Sequence, residues 1–136
     1  MKTNKIWVFL SLWSLILIAC GSDVVTPDTG ALEIKITVGP LCPVEPCNKT
    51  KDELKQIYET YSVVLSNEQT KNVVSTQKVS SVETYGEVKM ANLPVGEYEL
   101  TIKPSNLFTS QNFPKKVGIE KDKTTSLQID IDTGIR

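Results

Sequence analysis

The sequence predicts an all-β fold, a single seven-stranded antiparallel β-sandwich with one short helix. Three observations carry that expectation: runs of strict apolar–polar alternation, turn residues between them at short intervals, and one stretch where the apolar spacing changes to three and four. A chain of 136 residues is the length of one domain with a modest core. Short strands of this kind bury their apolar faces by packing two sheets together.

The first thirty residues stand apart from that domain. Lys2 and Lys5 precede an apolar run from Ile6 to Ile18, interrupted by Ser11 and Ser14, which is shorter than the roughly 20 residues a spanning helix needs. It closes on Leu17-Ile18-Ala19-Cys20, which resembles the lipobox of a bacterial lipoprotein signal peptide. The resemblance implies a signal peptide over 1–19, cleavage before Cys20 and acylation of its thiol. The alternative is that Cys20 is only a small residue near an ordinary cleavage site. One acyl chain anchors marginally at about 0.8 kcal/mol per buried CH₂, whereas the two or three expected on such a lipoprotein would hold permanently. Gly21 follows the cysteine where an aspartate would suggest inner-membrane retention, which points to the outer membrane if the envelope has one. The polar, aperiodic stretch Gly21 to Gly30 completes a tether over 20–30 that reaches about 35 Å at most. The sandwich domain is expected over 31–136.

Charge and composition exclude several classes. Loss of Lys2 and Lys5 from the 15 basic residues, against 16 acidic ones, shifts the net charge from −1 to −3. A mildly acidic domain without a basic cluster is a poor partner for nucleic acid, or for anionic lipid beyond its anchor. There is no histidine, so histidine-based triads and ligand sets are absent. No cofactor and no metal are expected, and the reading is non-enzymatic.

In the domain, Leu32, Ile34, Ile36 and Val38 alternate with Glu33, Lys35 and Thr37, a half-buried strand that ends at Gly39-Pro40. Then comes Leu41-Cys42-Pro43-Val44-Glu45-Pro46-Cys47, and the three prolines Pro40, Pro43 and Pro46 restrict the backbone and hold the two cysteines near each other. With Cys20 acylated, Cys42 and Cys47 are left to pair as a disulfide outside the cytoplasm. Two thiols alone fall short of the four ligands of a zinc site.

From 48 to 59 the pattern turns helical: Thr50 and Glu53 have capping-box spacing, and Leu54, Ile57, Tyr58 and Tyr61 form an apolar stripe expected to pack on the sandwich. Tyr61, Val63 and Leu65 then alternate toward a turn at Ser66-Asn67-Glu68-Gln69, and a further strand is expected over 72–79. Val82 to Tyr85 leads to Gly86, after which Val88 and Met90 share a face. Asn92-Leu93-Pro94-Val95-Gly96 reads as a turn, followed by Tyr98, Leu100 and Ile102 inward with Glu97, Glu99, Thr101 and Lys103 outward. Pro104 stops that strand, 105–112 is a loop holding Leu107 and Phe108, and final strands run over 113–119 and 124–132, with Thr125, Leu127, Ile129 and Ile131 inward. An immunoglobulin domain proper is disfavoured, because no tryptophan follows Cys20 and the cysteines lie five positions apart.

The run from Gly86 to Leu100, with its strand-opening glycine, its Leu93-Pro94-Val95-Gly96 turn and Tyr98 just beyond, resembles the pattern of carboxypeptidase-regulatory-like and transthyretin-like (prealbumin-like) domains. The segments 39–47 and 132–136 also look like elements of small bacterial secreted proteins on this fold. The resemblance implies an accessory or adhesive module in which Leu93 plugs the end of the sandwich and Tyr98 caps the core. Related B-type repeats of Gram-positive adhesins form lysine–asparagine isopeptide bonds. Here Lys35 lies on the polar face, Ile102 stands where the glutamate is expected, and the last strand offers only Asp130 and Asp132.

The expected function is therefore a lipid-anchored binding or structural accessory of the cell envelope, with a periplasmic inhibitor or an envelope-assembly factor as the alternative. Its contact surface for a protein or glycan partner is expected between Cys42 and Tyr58 together with 105–112, with Phe108 as the candidate contact. The carboxylate pairs Glu97/Glu99 and Asp130/Asp132 could serve glycoside hydrolysis, for which a domain this small lacks a deep sugar cleft, and Asp130, Asp132 and a loop acid could hold calcium; i, i+2 spacing on a strand is the pattern of a solvated face.

Overall fold

A computed structural model describes residues 27–44, 46–104, 108–109 and 112–135. Two sheets face one another. One has the order β4-β5-β1-β9-β7, from β1 (Thr29–Gly39), β4 (Ser80–Val82), β5 (Tyr85–Pro94), β7 (Phe108–Thr109) and β9 (Thr124–Asp132). The other has the order β3-β2-β6-β8, from β2 (Ser62–Asn67), β3 (Val73–Lys78), β6 (Gly96–Lys103) and β8 (Lys115–Ile119). One helix, α1 (Lys51–Glu59), joins β1 to β2.

The alternation read in sequence sets the core. Leu32, Ile34, Ile36 and Val38 from β1 meet Val88 and Met90 from β5 and Ile129 and Ile131 from β9, all buried. Across the interlayer lie Val63 and Leu65 of β2, Leu100 and Ile102 of β6, and Val117 and Ile119 of β8. Leu127 and Phe113 pack against this core from its margin. Thr125, also half-buried, donates its hydroxyl to the Gly118 carbonyl at 2.9 Å and so ties β9 to β8 across the layers. No polar or charged residue is buried among the described residues.

Two features of the expected fold are corrected. The described residues form nine strands instead of seven: eight of three residues or more, and the two-residue β7 inside the expected loop. Both β4 and β7 are too short for alternation to mark them. The sandwich is also not wholly antiparallel, since β1 and β9 pair in parallel from Ala31↔Thr124 to Gly39↔Asp132. A parallel pair needs a long crossover, and the whole second sheet lies in the chain between these strands. The remaining pairs are antiparallel.

β1 begins at Thr29, within the stretch expected as tether, and Thr29 and Gly30 pair with Pro94 and Leu93 of β5. Gly30 sits where the 120–123 turn presses on the strand: a Cβ there would lie 2.3 Å from the Glu120 carbonyl oxygen. The expected signal peptide and Cys20 lie outside the described residues. No helix among those residues is long and apolar enough to cross a membrane.

Candidate functional site

Because β1 and β9 run in parallel, their C-terminal ends emerge at the same pole of the sandwich. Gly39 is in register with Asp132, and Asp132 is in register with Phe108 of β7 on its other side. The backbones of Gly39 and Phe108 are thus two strand spacings apart, about 10 Å. This row joins the two regions singled out in the sequence, the cysteine loop and 105–112. Phe108 is described in its backbone alone, and its side chain lies outside the described atoms. The Thr133 amide donates to the Gly39 carbonyl at 3.2 Å and its hydroxyl donates to the Pro40 carbonyl, which latches the end of β9 to the start of the loop.

The loop is closed as the sequence predicts, by a Cys42–Cys47 disulfide with Cα atoms 5.5 Å apart. Leu41 packs on the core, while Pro43, Val44 and Pro46 face solvent, Val44 at 75% exposure. Beside the loop a shallow cleft of about 300 Å³ is lined by Thr37, Gly39, Pro40, Asp130 and Asp132.

α1 leads away from the loop and is fixed at both ends. Thr50 accepts from the Glu53 amide at 3.3 Å, and the Glu53 carboxylate accepts from the Thr50 amide at 2.8 Å, completing the capping box. These bonds from Thr50, aided by Lys49, hold the Glu53 carboxyl below the usual range. At the other end Tyr58 is buried and donates to the Thr84 carbonyl at 2.9 Å. Its ring lies over Gly86, where a Cβ would come 2.7 Å from the Tyr58 Cδ1 and 2.4 Å from Val79. This explains the strand-opening glycine physically: β5 needs a residue without a side chain where the helix docks. The sequence marks Gly86 but gives no sign of its partner.

The carboxylate pairs are not assembled into a site. Glu99 is held by Lys71 at 2.7 Å on the outer face of β6, and Glu97 lies against Gly118 of β8. Asp130 accepts from the Thr37 hydroxyl and from Gln128 at 3.4 Å, while Asp132 accepts from the Gly134 amide at 2.8 Å. The two pairs are on different sheets. Lys35 lies exposed in register with Glu87 and Gln128, its ammonium 4.6 Å over the Tyr85 ring, so no asparagine faces it for an isopeptide. Among the described residues, no three His, Cys, Asp or Glu side chains are grouped to hold a metal ion.

No family model matches the chain, and no curated protein matches it in sequence. Among solved structures it is similar to GBS52, the minor pilin of the Gram-positive pathogen Streptococcus agalactiae, at 16% identity over 79% of this chain with a TM-score of 0.51. It is also similar to BcpA, the major pilin subunit of Bacillus cereus, at 20% identity over 77% of this chain with a TM-score of 0.50. The chain spans 45% and 30% of those pilins' own lengths. At such identities the likeness is one of fold, a β-sandwich.

Proposed function

We propose that this chain is a lipid-anchored, non-enzymatic module of the bacterial cell envelope, fastened through Cys20 and working by binding or by structural support. The observation that carries the non-enzymatic reading is the setting of its carboxylates: the two pairs lie on different sheets and are engaged by lysines, hydroxyls and amides, and the cleft that Asp130 and Asp132 border is shallow. Supporting the surface role are the sandwich fold shared with two pilin proteins and the lipobox before Cys20. Within this fold the Gly86 to Leu100 run favours the carboxypeptidase-regulatory-like and transthyretin-like group: Leu93 is buried, and Tyr98 is buried with its hydroxyl donating to the Pro94 carbonyl at 2.6 Å.

A protein or glycan partner would meet the pole where the cysteine loop and β7 converge. The exposed Val44 on a disulfide-closed loop favours a protein contact there, and with it the second reading, an inhibitor or assembly factor. Co-purification from detergent-solubilised membranes, comparing the native chain with Cys20→Ala, tests both readings. A partner retained by both forms and lost on Val44→Asp supports them, and a partner set unchanged by Val44→Asp contradicts the assignment of this pole.

A further inference from the structure

The position of the anchor on the fold constrains how the domain can stand on a membrane. Asp28 is already part of the domain: its carbonyl accepts from the Val95 amide at 3.0 Å and its carboxylate pairs with Lys121 at 2.7 Å. The chain from Cys20 to Asp28 therefore spans about 27 Å at most when fully extended. β1 then runs 11 residues to the opposite pole, a length of about 33 Å, with the cysteine loop beyond it. An inverted domain standing with β1 along the membrane normal would have to lift Asp28 by about 33 Å, more than the tether can span.

Lying flat is not excluded by length, but the outer sheet faces are unsuited to it. They carry ion pairs, among them Lys89 with Glu87 at 3.1 Å along β5 and Lys71 with Glu99 at 2.7 Å, which contact with lipid would desolvate. The anchored pole has ion pairs of its own, Lys121 with Asp28 and Lys123 with Glu120, and differs in lying at the end of the domain where the chain from Cys20 enters. There the β5–β6 turn presents Pro94 and Val95, Val95 at 47% exposure, beside the Lys121–Lys123 turn, whose Asp122 amide donates to the Thr29 carbonyl at 2.9 Å. We propose that the Val95 and Lys121–Lys123 pole rests on the lipid headgroups, so that the cysteine-loop pole is presented away from the membrane.

This orientation rests on the lipid-anchor reading, and its test separates the two. Trp7 and Trp13 are the only tryptophans and precede Cys20, so Val95→Trp and Val44→Trp each give a mature chain with a single tryptophan. Each lipoprotein would be reconstituted in phosphatidylcholine vesicles containing a lipid with a nitroxide on its headgroup. The expected result is at least a twofold loss of emission for Val95→Trp and no change for Val44→Trp. Equal quenching of both, or quenching of Val44→Trp alone, overturns the proposed orientation. Native protein that fails to float with vesicles overturns the anchor reading. Coupling the mature chain to a maleimide lipid through the Cys20 thiol then reads the same two emissions and decides the geometry by itself.

Discussion

The ring of Tyr58 occupies the space that a side chain at residue 86 would need. Tyr58 stands on the last turn of α1 and Gly86 at the start of β5, and the close approach lets the Tyr58 hydroxyl reach the Thr84 carbonyl. The helix is thereby docked on the sheet and closes the end of the core next to Val79. Gly86→Ala should destabilise the domain by about 1–3 kcal/mol, because two buried side chains have to move. Gly39→Ala is the control, since nothing lies within 4 Å of its Cβ position. Urea unfolding should shift its midpoint for the first variant and barely for the second.

Removal of the N-cap should loosen the same contact from the far side of the helix. α1 has only nine residues, too few to be stable without its cap and its packing. Thr50→Ala should cost about 1 kcal/mol and relieve the lowering of the Glu53 carboxyl only in part, because the amide of residue 50, the larger cause, still donates to it. Thermal unfolding and an NMR titration of Glu53 measure the two effects.

The buried tyrosines give the domain a defined alkaline limit. Burial pushes the phenols of Tyr58 and Tyr98 above their ordinary value, and partial burial does the same to Tyr61. As pH rises past about 10 the unfolded chain loses these protons before the native state does, so stability is intact below that pH and falls above it. Tyr98→Phe should lower stability by about 1 kcal/mol at neutral pH through loss of the bond to Pro94. It should also make the alkaline decline shallower. Urea midpoints at neutral pH and above pH about 10 check both parts.

Reduction of the Cys42–Cys47 bond should leave the sandwich folded. So small a closed loop is worth about 2 kcal/mol by chain entropy, and neither cysteine belongs to the core cluster. Hydrogen exchange should quicken around 40–47 and at Thr133, whose bonds latch the loop, while the amides of β1 between Leu32 and Ile36 stay protected.

The inward faces of the sandwich were legible because strand alternation is local: every residue from Leu32 to Val38 lies on the side its neighbours imply. Pairing is not local. The parallel match of Ile34 with Leu127 depends on where more than ninety intervening residues place the last strand, and nothing in either segment encodes that direction. β3 escapes the alternation rule for a different reason. It is an edge strand with Val73 and Val74 both substantially exposed, so hydropathy marks a strand there without assigning an inner face. Of the site, the disulfide followed from the prolines and the cysteine count, whereas the row Gly39–Asp132–Phe108 required the fold.

Attachment to lipid is the claim on which the envelope role depends, and intact mass spectrometry of the protein extracted from its native membranes measures it directly. The account predicts a chain that begins at Cys20, carries the added mass of two or three acyl chains, and is two hydrogens lighter for the Cys42–Cys47 bond. A chain retaining Met1, or one with an unmodified Cys20, would contradict it.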